Sequence, residues 1–184
     1  DLASRLARLE HVTGRFEQRV FDGEGRLVQA SRGDFAAAVP RRFRWRTEGP
    51  FPSLLVSDGD DLWLYDEDLR QVVVRDLDPR LGHTPMLLLS GEAERVDERY
   101  EVERPAPDVF ELRPRDPEAP FRALRLEFAP VGSGTRLERL VITDALVQST
   151  RIAFEDLRLD AELAEGLFEF EVPEGVELVD ERDP

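Results

Sequence analysis

The chain has 184 residues, 41% of them hydrophobic, with 40 acidic against 25 basic side chains and a net charge of −15. That length suits one substantial domain, residues 1–184, that hydrophobicity excludes a disordered chain, and that charge argues against general nucleic-acid binding and against adhesion to anionic membranes. Every basic residue is Arg, and the absence of Cys excludes disulfides, thiol chemistry and thiolate metal sites.

The chain begins at Asp1 rather than Met, which either a removed signal peptide or simple trimming explains, and no apolar run reaches membrane-span length. Leu2, Leu6, Leu9 and Val12 recur at three- and four-residue steps, so residues 2–12 predict an amphipathic helix. Phe16, Gln18 and Val20 share one face of a strand that ends at Phe21. A turn at Asp22-Gly23-Glu24-Gly25 and a returning strand over 26–30 follow. Two more strands, 33–39 and 42–47, flank Pro40. In the second, Phe43 and Trp45 share one face and Arg42, Arg44 and Arg46 the other, a strict period of two with one wet face.

The stretch 53–65 carries the strongest local signal. Two short apolar runs are joined through Asp58-Gly59, a hairpin signature. Leu54, Leu55 and Val56, then Leu62, Trp63, Leu64 and Tyr65, put apolar residues on both parities. This hairpin therefore needs apolar cover on both faces and belongs in the middle of a sheet. An exposed turn at 66–68 and a strand over 71–75 follow. Thr84 as N-cap and Pro85 at the first helical position then predict a short helix carrying Met86, Leu87, Leu88 and Leu89 and stopped by Gly91. Four large apolar residues in succession wrap more than half of such a helix, so it is buried nearly all round or offers grease to a cavity or partner. Strands return at 100–103, 109–113, 123–128, 136–143 and 150–158, separated by Pro- or Gly-rich turns. Residues 163–167 read as a link or helical turn. Phe168, Phe170 and Val172 predict a last strand, continued by 176–179. About ten strands at this spacing make a mainly β chain with a few helices: one large antiparallel sheet, curled or closed into a barrel.

Chemistry-bearing motifs are absent from this pattern. His11 and His83 lack metal-ligand spacing, and Asp58, Asp60 and Asp61 lack the spacing of a calcium loop and read as the hairpin turn. Gly23 and Gly25 open no helix, so they cradle no phosphate. No Ser stands in a nucleophile-elbow context. No catalytic group, metal or cofactor is therefore expected. The cluster Arg41, Arg42, Arg44 and Arg46 reads as a solvated strand face, with a docking edge as the sharper alternative.

The order and spacing of Gly33-Asp34-Phe35, Pro40, Phe43-Arg44-Trp45, Leu55-Val56-Ser57-Asp58-Gly59, Leu62-Trp63-Leu64-Tyr65, Gln71, and Thr84-Pro85 before a Leu run resemble LolA, the periplasmic lipoprotein carrier family of Gram-negative bacteria. The tail from Phe168 to Val176 does so too, and the resemblance spans the whole chain. It implies an unclosed antiparallel β-barrel with a helical lid over an apolar cavity. It further implies no enzymatic activity, a monomer in the periplasm after signal-peptide removal, lipoprotein acyl chains as cargo, the LolCDE transporter as donor and the LolB receptor as acceptor. The family often has Arg just before the Pro that matches Pro40 and links it to onward transfer. Val39 stands there in this chain, with Arg41 and Arg42 just after, so these three are the candidate transfer or docking positions. The alternative on the same fold is a periplasmic sensor or regulatory domain that binds a membrane protein's segment or lipid.

On that resemblance the strand faces bearing Phe16, Phe35, Phe43, Trp45, Leu64, Phe110, Leu126 and Phe128 are expected to wall the cavity. Leu6 and Leu9 of the leading helix, with Met86, Leu87 and Leu88, are expected to form the lid. Met adapts its shape to varied contents.

Overall fold

The computed structural model describes residues 1–77, 88–90 and 93–184. A short helix α1 (Leu2–Ala7) leads into six strands, β1 (His11–Phe21), β2 (Leu27–Ala38), β3 (Arg42–Gly49), β4 (Ser53–Asp58), β5 (Asp61–Asp66) and β6 (Gln71–Asp76). Leu88 and Leu89 have helical backbone, a 3-10 turn spans Ala93–Arg95, and a one-turn helix α2 spans Val96–Arg99. Six strands complete the chain: β7 (Tyr100–Ala106), β8 (Val109–Pro114), β9 (Phe121–Val131), β10 (Gly134–Asp144), β11 (Ser149–Leu159) and β12 (Glu177–Asp180).

All twelve described strands join one sheet in the order β12-β6-β5-β4-β3-β2-β1-β11-β10-β9-β8-β7. The order has two ends, so the sheet curls without closing. Each neighbouring pair is antiparallel except β12 with β6, which is parallel. A parallel neighbour needs a crossover along a sheet face, and residues 160–176 make it. They run over the convex side from His11, whose carbonyl accepts from the Ala161 N–H, to Arg70, whose carbonyl accepts from the Glu177 N–H.

That crossover corrects the reading of the tail. Phe168, Phe170 and Val172 alternate as an extended chain does, but they form no strand. Their backbone crosses a face instead of pairing at an edge. Phe168 packs with Ala36, Ala38, Leu163 and Leu167. Phe170 stacks on Trp63, ring centroids 5.5 Å apart, and tilts against Tyr65 at 6.1 Å. This is the outer apolar cover that the two-sided greasiness of β4 and β5 demanded. Beside it Val56, Val72 and Val74 are fully buried.

Three further differences have local causes. The leading helix stops at Ala7 and β1 begins at His11, so Leu9 and Val12 reach the core from a turn and a strand. The run His-Val-Thr-Gly favours extended backbone over helix, which also moves His11 onto a strand. Residues 26–30 and 33–39 belong to one continuous strand rather than two. Gly33, where the second of these strands was expected to start, sits mid-strand, and a Cβ there would lie 1.7 Å from the Arg46 carbonyl oxygen and 2.9 Å from the Phe16 ring. The helical turns at 93–99, which the sequence reading passed over, lead straight into β7 and bury Ala93 and Val96 in the core. Residues 84–87, Gly91 and His83 lie outside the described residues.

Candidate binding face

Strand alternation assigns the concave face. Phe16 on β1, Phe35 and Ala37 on β2, and Phe43 and Trp45 on β3 point inward. They meet Leu62 on β5, Phe110 and Leu112 on β8, Leu124, Leu126 and Phe128 on β9, and Ile152 and Phe154 on β11, all in one buried cluster. Its centre is aromatic. The Phe16 and Trp45 rings stack with centroids 3.9 Å apart, and Phe35 sits 5.4 Å from both Trp45 and Phe154. Phe110 and Phe128 pack edge to face at 5.9 Å.

Seven of the eight expected wall residues, Phe16, Phe35, Phe43, Trp45, Phe110, Leu126 and Phe128, lie in this cluster and are at most 9% exposed. The eighth, Leu64, shares the inward parity with Leu55 but is 39% exposed. The concave face is thus covered at Leu62 of β5 and exposed at Leu64, two residues on.

The cover is thin. Leu2 and Leu6 of α1, then Leu9, Leu88, Leu89, Ala93 and Val96, press on the cluster. Leu6, Leu9 and Leu88 of the expected lid are among them; Met86 and Leu87 lie outside the described residues. Asp1 caps α1 by accepting the Ser4 N–H at 2.7 Å. Arg5 anchors the helix. Its guanidinium lies 5.3 Å from the Phe110 and 5.0 Å from the Phe128 ring centroid, its Nη1 is 2.9 Å from an Asp108 carboxylate oxygen, and its Nη2 donates to the Pro107 carbonyl at 3.2 Å. The sequence reading placed Arg5 between the apolar positions. The signal for its role was present: counted from Leu2, Arg5 is the i+3 position of the same stripe that carries Leu6 and Leu9.

Val39, Arg41 and Arg42 fall together at the β2–β3 turn. Arg41 adopts φ 55°, uncommon for a residue with a side chain. Its N–H donates to the Ser90 carbonyl at 2.8 Å and its carbonyl accepts from the buried Ser57 hydroxyl at 2.8 Å. Ser57 in turn accepts the Gly59 N–H at 3.1 Å. One serine thus ties the central hairpin to the turn, and the turn's backbone holds the segment bearing Leu88 and Leu89. Val39 contributes backbone, donating to Glu10 and accepting Arg42 Nη2 at 2.9 Å. Arg42 also lies 5.6 Å over the Phe168 ring. The arginine face of β3 is therefore not uniformly wet: the crossover shields Arg42, Arg44 is half-buried and Arg46 is exposed.

Charge elsewhere serves the outer surface. Hydrogen bonds from Arg125, then attraction to Arg139, hold the Glu127 carboxyl below the usual carboxylate range. The Arg182 side chain, bonded to Asp180 and Asp61, lowers the Asp180 carboxyl to about 2. Among the described residues no three His, Cys, Asp or Glu side chains converge as metal ligands, and no helix is long and apolar enough to cross a membrane.

An open, curled sheet with a greasy concave side under a few short helical turns is the architecture of a protein that binds apolar ligands. A family profile described as outer membrane lipoprotein carrier protein LolA matches residues 7–171, and the chain belongs to the LolA family. A protein named outer-membrane lipoprotein carrier protein in Chromohalobacter salexigens is 39% identical over 98% of this chain and 85% of its own. One of the same name in Halorhodospira halophila is 41% identical over 96% and 82%. The solved structure of a LolA superfamily protein from Nitrosomonas europaea has the same fold, with a TM-score of 0.56 at 13% identity over 92% of this chain and 97% of its own.

Proposed function

We propose that this chain is one domain that carries lipoproteins through the periplasm, taking them from LolCDE and delivering them to LolB, with their acyl chains held against the concave face. The observation that carries the reading is the aromatic cluster on the concave face of an unclosed sheet, in a member of the LolA family. An acyl chain in water costs about 0.8 kcal/mol per CH₂, so a sixteen-carbon chain costs about 12 kcal/mol. Broad apolar contact offsets that cost without polar anchors, which lets the cargo leave again.

Phe16, Phe35, Phe43, Trp45, Phe110, Leu126 and Phe128 become the cavity wall when α1 and the Leu88 segment lift, and Leu64 marks the side already open. Leu6, Leu9 and Leu88, with Met86 and Leu87, act as the lid. The main chain of Arg41 supplies the link to that lid, which is how the chain manages with Val39 where relatives often have Arg. The reading is of a carrier without catalysis, in keeping with relatives named as carriers. Proteoliposomes holding the transporter and a lipoprotein test it. Release of the lipoprotein as a soluble complex with this chain is expected, and retention of all lipoprotein in the membrane fraction contradicts it.

A further inference from the structure

The concave face is not greasy throughout. Two residues beyond the Phe16–Trp45 stack, about 7 Å along the strands, the inward positions turn polar. Gln18 follows Phe16 on β1 and pairs with Ser31 on β2. Thr47 follows Trp45 on β3 and pairs with Ser53 on β4. All four side chains are half-buried, and none makes a hydrogen bond among the described residues. Each is uncharged. The arginines of β1, β2 and β3, namely Arg15, Arg19, Arg32, Arg42, Arg44 and Arg46, take the opposite, convex parity. Asp66, opposite Ser53 on β5, spends a carboxylate oxygen on the Leu69 N–H.

We propose that Gln18, Ser31, Thr47 and Ser53 seat the neutral head of a lipoprotein, an N-acylated diacylglyceryl-cysteine with its first peptide amide. This rests on the reading that acyl chains lie against the aromatic cluster. The head must then sit where the grease ends, and its ester carbonyls accept hydrogen bonds that hydroxyls and an amide can donate. Water reaches these donors and no other protein group among the described residues occupies them, so a bound carbonyl takes the place of solvent there. A phosphate head finds no cation on this ledge, and leaving its charge desolvated and unpaired is unfavourable. The ledge therefore selects lipoproteins over the far more abundant phospholipids with the same tails.

The test measures the affinity of three probes: a synthetic N-acyl diacylglyceryl-cysteinyl hexapeptide, the neutral apolar dye phenylnaphthylamine, and monomeric short-chain phosphatidylglycerol. Gln18→Leu combined with Thr47→Val lowers lipopeptide affinity about tenfold, the worth of two ordinary hydrogen bonds, and leaves the dye unchanged. Gln18→Arg raises phosphatidylglycerol affinity about tenfold, a gain that a misfolded variant cannot produce. Unchanged lipopeptide affinity in the double variant, or a parallel loss of dye binding, overturns the inference alone. An unmutated protein that binds neither lipopeptide nor dye overturns the carrier reading beneath it.

Discussion

Arg5 of α1 places its guanidinium 5.0 Å from the Phe128 ring centroid, so a charged side chain, not a leucine, pins the leading helix to the aromatic wall. The Asp108 and Pro107 contacts of the same guanidinium add polar links to that hold. Arg5→Ala removes the cation–π contacts, each worth about 0.5–2 kcal/mol, and should loosen α1 by about 1–3 kcal/mol. Faster hydrogen exchange in residues 2–7 and faster uptake of an apolar dye are the expected readouts. Asp108→Asn should do less, about 1 kcal/mol at most, since Asp108 is 38% exposed.

Gly33→Ala tests the β2–β3 register. A methyl group has to enter within 1.7 Å of the Arg46 carbonyl oxygen, which is backbone and cannot swing away. The strands must part locally, and a loss of about 3 kcal/mol is expected from the urea unfolding midpoint. Gly25, whose Cβ would meet nothing within 4 Å but whose φ is +81°, should lose only about 1 kcal/mol as Ala.

Phe170→Ala should free the crossover from the convex face. The stack on Trp63 and the contact with Tyr65 disappear, a loss of about 1–2 kcal/mol. Trp63 emission then shifts to longer wavelength while that of Trp45, buried on the other face, does not.

Acid should loosen the Asp180–Arg182 pair at the far end of the same tail. The Asp180 carboxyl titrates at about 2, below its ordinary 3.8, chiefly because Arg182 hydrogen-bonds its charged form. A depressed carboxylate stabilises that pairing above its ordinary value, and the contribution is lost as pH falls from about 4 through about 2. Arg182 also lies 5.8 Å over the Trp63 ring. A Trp63 emission change across that window, absent in Asp180→Asn, is expected.

The sequence made the sheet legible because its strands alternate cleanly. Phe43 and Trp45 against the arginines, and the two-sided 53–65 hairpin, fixed faces and position before any coordinates. The same alternation put the expected wall residues on one face, and all but Leu64 are buried together. Less legible was whatever depends on which face the chain crosses. Phe168 and Phe170 have strand periodicity, but period two describes any extended backbone, paired or not. Leu9 and Val12 kept helical spacing because they serve the same core as Leu2 and Leu6, from different backbone. Ser57 gave no signal, since its worth lies in joining its own hairpin turn at Gly59 to the Arg41 carbonyl of another turn. The unbonded ledge at Gln18 and Thr47 also escaped notice, because polar residues near strand ends look like solvent contacts until the register shows which way they face.

The central claim is that cargo tails lie on the concave side, and the two tryptophans sit on opposite faces to report it. A lipopeptide with bromines in its acyl chains is titrated into Trp63→Phe, which leaves Trp45, and into Trp45→Phe, which leaves Trp63. Quenching of Trp45 with Trp63 untouched is the result expected here. Quenching confined to Trp63, or none at either site while the lipopeptide is bound, would contradict it.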